Sequence, residues 1–158
     1  MPFSYLDFET IAYAIPKYNG TRPYQQLPFQ FSCHVQARPN GIPDHLEYLH
    51  DSETDPREAI AKALVSMVPK TGSVIAYNMA FERQVLLALA KQFPKYRGAL
   101  EGIAQCLVDP LPVIRAHVYY PAFCGSFSIK AVAPAPRVTK AWQWQWQTAQ
   151  GRRQHFWK

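Results

Sequence analysis

Cysteine is scarce in this chain. Cys33, Cys106 and Cys124 lie far apart and form no C-x-x-C pair. That disfavours a disulfide framework or a zinc cluster and predicts free thiols in a reducing, cytoplasmic setting. Long apolar runs are also missing: no stretch approaches the ~20 residues that span a bilayer. The N-terminus has no basic region followed by a long apolar segment, so no secretory leader is expected. The most consequential absence is of acid. After Asp109 the chain carries no Asp or Glu through to Lys158.

What is present suits a soluble globular protein. The 158 residues suffice for one domain with a core, with 48% hydrophobic and 18% charged residues. The net charge of +6 is unevenly placed. Residues 1–136 carry 12 Lys and Arg against all 11 acids, whereas 137–158 carry only cations: Arg137, Lys140, Arg152, Arg153 and Lys158. The basic balance therefore belongs to the tail and says nothing about partners of the globular part.

Among the acids, Asp7 and Glu9 stand out. The segment Tyr5-Leu6-Asp7-Phe8-Glu9 reads as a strand, on which residues i and i+2 share a face. Asp7 and Glu9 then point one way, Leu6 and Phe8 the other. Neighbouring carboxylates repel unless a cation or a proton relieves them. A divalent metal is a common relief, and carboxylate-held metal pairs cut phosphodiesters. The plainer alternative is an edge strand whose two acids face water.

Further along, residues 11–27 contain Pro16, Asn19-Gly20 and Pro23, which predict a loop with turns. Residues 29–35 alternate, with apolar side chains at odd positions, as a half-buried strand does. A turn at Pro39-Asn40-Gly41 leads to a shorter strand at 46–49. Asp55-Pro56-Arg57-Glu58 predicts a helix start: Asp as cap, Pro at the first position, Glu completing a capping box. Ile60, Leu64, Met67 and Val68 form its apolar face, and Pro69 and Gly72 end it. Residues 73–77 read as a strand buried on both sides, and Asn78 turns the chain. Phe81, Val85, Leu86 and Leu89 then line another helix, closed by Pro94. A short helix over 96–106, a brief strand at 107–109 and a helix start near Ser128 complete the pattern. Three antiparallel strands, then parallel strands with flanking helices, predict an α/β domain with a mixed sheet. That order is compatible with a ribonuclease-H-like arrangement.

Glu82 falls in the first turn after the strand ending at Tyr77. Ligands gather at such strand ends in α/β sheets, and a carboxylate there can reach a metal held by the first strand. An acid at a helix start is also explained by the macrodipole alone, and Asn78 by the turn alone.

Together these segments resemble the DEDD exonuclease superfamily, where a first strand carries Asp-x-Glu and a later strand-to-helix turn carries Asn-x-x-Phe-Asp. Here the match is Asp7-Phe8-Glu9 and Asn78-Met79-Ala80-Phe81-Glu82, with Glu in place of the usual Asp at position 82. A second resemblance covers nearly residues 3–135. The strings Tyr5-Leu6-Asp7-Phe8-Glu9-Thr10, Ala14-Ile15-Pro16, residues 20–31 and residues 125–132 are similar to the bacterial domain-of-unknown-function family 2779. In that family the domain commonly follows a RecB-like nuclease region of a longer protein, which is the partner the resemblance implies.

The resemblance implies a 3′–5′ exonuclease-like domain acting on DNA or RNA through two Mg²⁺ or Mn²⁺ ions. Asp7 and Glu9 would hold the metals and Glu82 would close the site. The pattern needs a fourth acid, an Asp in a later Tyr-x-x-x-Asp or His-x-x-x-Asp helix. None follows His117, Tyr119 or Tyr120, and Asp109 matches a position that is usually structural. The expectation is a domain over 1–136 that is C-terminally incomplete and inactive alone. The alternative is a non-catalytic nucleic-acid-binding or assembly module, and a third possibility is an unstable fragment.

Candidate nucleic-acid contacts are Thr10 and Asn78 beside the motifs, and Arg22 and Tyr24 in the loop after the first strand, where tyrosines and cations can stack bases and neutralise phosphates. A self-packed surface loop explains the same composition. Lys130, at a helix start, is a further candidate, against the simpler reading of a solvated lysine. The tail breaks with the rest. Trp142, Trp144 and Trp146 alternate with Gln, a pattern that a one-base shift converts to Gly-Asn or Gly-Ser repeats. Read as a strand, the tail would expose three Trp on one face, prone to association. Read as nucleic-acid-binding, its aromatics and cations would stack and neutralise. The more economical expectation is a frameshift that replaced the fourth-acid helix.

Overall fold

Alternation of Leu6 and Phe8 with Asp7 and Glu9 produces the expected strand, β1 (Phe3–Ile11). The computed structural model describes residues 2–39 and 41–134. β1 pairs antiparallel with β2 (Leu27–Gln36), and β2 pairs antiparallel with β3 (Asp44–Leu49). β4 (Ser73–Ile75) and β5 (Leu107–Val108) then add in parallel on the other side of β1. The result is a mixed five-stranded sheet in the order β3-β2-β1-β4-β5, with β1 central. The register puts Leu6 opposite Cys33 and Phe8 opposite Phe31, whereas Asp7 faces Ser32 and Glu9 faces Gln30. Register slips between Glu9 and Thr10. Such bulges bend a strand and re-aim its side chains.

The chain divides into two compact units, the first ending at Asp109 and the second beginning at Pro110. In the first, Leu6, Phe8, Phe31, Cys33, Val74 and Ala76 share one buried cluster with the helices α1 (Pro56–Met67), α2 (Ala80–Gln92) and α3 (Arg97–Gln105). α1 starts as its sequence requires: Asp55 caps it by accepting from the Arg57 N–H at 3.1 Å. The capping box is only half made, because Glu58 pairs with Lys95 instead. Gly72 precedes β4 at φ +101, where a Cβ would stand 2.2 Å from the Pro2 carbonyl oxygen. Only glycine fits that approach.

One expectation changes here. β4 is three residues long and alternates, with Val74 and Ala76 buried and Ser73, Ile75 and Tyr77 half-buried. It is therefore not buried on both faces; only one side meets the helices. Pro110-Leu111-Pro112, for which the sequence offered no reading, opens α4 (Leu111–His117), since proline is tolerated in the first helical turn, where no intrahelical N–H is needed.

The second unit has its own small core. Phe123 and Val132 are buried, with Ile114, Tyr120 and Phe127 packed on them. The helix expected near Ser128 is α5 (Ile129–Val132), a single turn. The boundary expected at residue 136 and the Trp/Gln tail at 137–158 lie outside the described residues, as does Asn40 of the turn at 39–41. Cys33, Cys106 and Cys124 are free thiols, and burial pushes the Cys33 thiol up to about 12. Among the described residues no helix is long and apolar enough to cross a membrane.

Candidate functional site

β1 presents Asp7 and Glu9, both half-buried, on the face opposite the helical core. Beside it, the chain leaves β4, turns through Asn78 and enters α2. Asn78 has φ 61, a left-handed conformation that asparagine accepts more readily than most residues. Met79, at the helix start, makes no side-chain cap. The cap comes from Asp109, just past β5. One of its oxygens accepts from the Asn78 N–H at 3.0 Å and the other from the Met79 N–H at 3.1 Å. Asp109 is thus the brace of the turn that carries Glu82.

Glu82 itself is buried, with 5% of its surface exposed. Its Oε2 has no hydrogen-bond partner among the described residues. Its carboxyl is raised from the usual 4.5 to about 7, chiefly by burial and also by the nearby charges of Asp7 and Asp109, against the pull of its own backbone N–H. An acid stabilised only by the helix dipole would lie in solvent and would not resist ionisation. Here a carboxyl keeps its proton close to neutrality chiefly because it is buried, with two carboxylates nearby adding to the effect.

The sheet therefore brings Glu82 into the field of Asp7, joining the two motifs across 75 sequence positions. Glu9 does not complete the set. Among the described residues no three His, Cys, Asp or Glu side chains gather where they could hold a metal ion. Among the described residues, then, the acids do not form a three-member ligand set.

The remaining candidates separate. Thr10 donates its hydroxyl to Gln26 at 2.6 Å, tying the end of β1 to the end of the loop. Arg22 is exposed, and Tyr24 is 73% exposed at φ 57. Asn78 serves the turn through its backbone. Lys130 is exposed on α5 of the second unit.

Loop 12–26 is built from its own side chains. Tyr13 and Tyr18 meet edge to face at 6.1 Å, and the Lys17 ammonium lies 5.9 and 5.7 Å from their centroids. Lys17 also pairs with Glu53. The Tyr24 N–H donates to the Tyr13 carbonyl at 2.8 Å. The self-packed reading of the loop holds for part of it. Tyr13, Lys17 and Tyr18 pack on one another, while Arg22 and Tyr24 are displayed.

Two features escaped the sequence. Arg57 was legible only as part of a helix start, yet its guanidinium is buried, with 3% exposed. On the face shared with Asp7, His34 pairs with Tyr5 and His45 in register, and the two imidazoles stack at 4.4 Å. Their alternation in β2 and β3 could have placed them on one face, but not in contact.

The profile of a family described as Domain of unknown function (DUF2779) matches residues 4–128, well over half of the chain. No curated protein and no solved structure matches it.

Proposed function

The chain belongs to the DUF2779 family, and from that premise we propose that it is a non-catalytic nucleic-acid-binding module on a ribonuclease-H-like fold of DEDD-exonuclease descent. The antiparallel meander followed by two parallel strands supports the descent, as does the approach of Glu82 to Asp7. The acids that would do metal chemistry are not gathered into a ligand set among the described residues. No hydrolytic step is therefore assigned to them. A RecB-like nuclease region of a longer parent protein is the proposed source of cleavage.

The observation that carries the binding function is the display of Tyr24 and Arg22. A tyrosine with positive φ is uncommon and strained. This one is exposed, two positions from the exposed Arg22, on the loop that leaves the Glu9 end of β1. An exposed aromatic and an exposed cation on one loop offer what a single strand uses: a base stacks and a phosphate is neutralised.

Fluorescence anisotropy with labelled single-stranded DNA and RNA tests this. Tyr24→Ala is expected to weaken binding by about 1–3 kcal/mol, the usual worth of one stacked base. Arg22→Ala is expected to lower the slope of log K against log salt by about 0.7, one phosphate contact on a single strand. Parent-like affinity and salt slope in both variants would remove the loop from the interface.

A further inference from the structure

We infer that Arg57 is the positioning residue of this loop, and that its buried guanidinium holds Arg22 and Tyr24 in their displayed conformation. The inference rests on the loop being the nucleic-acid interface.

Arg57 spends its donors on three separate parts of the molecule. Nε donates to both oxygens of Asp55, at 2.9 and 3.0 Å, and Nη1 donates to Gln92 Oε1 on α2 at 2.9 Å. Nη2 donates to the Asn19 carbonyl at 2.9 Å, 38 positions away. Asn19 sits in a tight turn closed by the Thr21 N–H on the Tyr18 carbonyl, with Gly20 at φ +72. A positive φ at that position is the requirement of a type II turn. The Asn19 carbonyl is the one the turn leaves outside its own hydrogen bond, and Arg57 takes it.

From that anchor the order passes along the loop. Tyr18, next to Asn19, meets Tyr13, and the Tyr13 carbonyl accepts the Tyr24 N–H. Arg22 is fixed beside it by its N–H on Gln25 Oε1 at 3.1 Å and by its carbonyl, which accepts the Gln25 N–H at 3.2 Å. Another tether, Lys17 to Glu53, is exposed, with 92% of the Glu53 side chain in solvent, and such pairs hold little. The buried planar fork is the stronger fastening. Its fixed geometry serves three directions at once, which a lysine ammonium cannot reproduce. Ordering the loop before binding spares the strand that entropic cost.

The test compares the full chain with Arg57→Ala and Arg57→Lys. The latter keeps a cation beside Asp55 and guards against loss of the whole fold. Amide hydrogen exchange at Thr21 and Tyr24 and trypsin cleavage after Lys17 report the loop; exchange at Leu6 and Phe31 reports the core. The expected result is exchange at Tyr24 at least ten-fold faster in both variants, with faster cleavage after Lys17, core protection retained in Arg57→Lys, and several-fold weaker oligonucleotide binding. Unchanged exchange and cleavage in the loop of a folded variant would overturn the inference. So would a loosened loop that binds as tightly as the parent. A loosened loop in a protein whose parent binds no oligonucleotide would leave the fastening standing and remove only the nucleic-acid reading.

Discussion

Glu82→Gln is expected to stabilise the fold by about 2 kcal/mol at pH 8 and to change it little at pH 4.5. The cause is the raised carboxyl, at about 7 in the folded chain against a usual 4.5. Below 4.5 the group is protonated in both states and contributes no pH dependence. Between 4.5 and 7 the folded state binds the extra proton, so stability falls as pH rises. Above 7 the folded state holds a buried carboxylate near Asp7 and Asp109, at a penalty of at most about 3.5 kcal/mol. Glutamine keeps the shape and removes the charge, so its advantage should grow across this window and level off above it. Urea denaturation of both proteins at several pH values measures the effect. A variant no more stable than the parent at pH 8, or one whose advantage grows toward acid, would show that Glu82 is not held in this environment.

Asp109→Ala is expected to lose about 2–3 kcal/mol, because two hydrogen bonds to one ionised carboxylate go together. Those bonds secure the N–H groups of Asn78 and Met79 and cap a helix that has no cap of its own. Measured at pH 5, where Glu82 is mostly protonated, the loss reports the brace alone. At pH 8 it should be smaller, since removing the Asp109 charge also relieves Glu82. Asp109→Asn keeps one acceptor and turns donors toward a backbone N–H, so an intermediate loss is expected. A loss within about 0.5 kcal/mol, typical of an uninvolved surface position, would contradict the brace.

These two predictions mark where sequence reasoning stopped. The sidedness of β1 was legible because Leu6 and Phe8 alternate with Asp7 and Glu9, a property of five consecutive residues. The start of α1 at Asp55-Pro56 and the place of Glu82 in a first helical turn were equally local. What the first-turn position could not reveal was burial, since the same residue pattern serves an exposed dipole acid. Burial depends on β1 running parallel beside β4, which brings Asp7 near the turn after it. Asp109 read as an acid at a strand end, and its partners lie 30 and 31 positions earlier. Arg57 read as part of a helix cap, and its reach to Asn19 is a fact of tertiary packing. The Asp-x-Glu spacing placed two carboxylates on one face, but sharing a face is a weaker condition than converging on one ion. Glu9 meets the first and, among the described residues, takes no part in a three-member cluster.

The central claim is that this chain binds single strands without cutting them. Labelled single-stranded DNA and RNA, incubated with the full chain and Mn²⁺, can be followed for binding by anisotropy and for length on a denaturing gel. The account predicts a bound, uncut strand, binding that falls in Tyr24→Ala, and no difference in strand length between the parent and Asp7→Ala. Progressive shortening of the strand with Mn²⁺, abolished by Asp7→Ala, would contradict it.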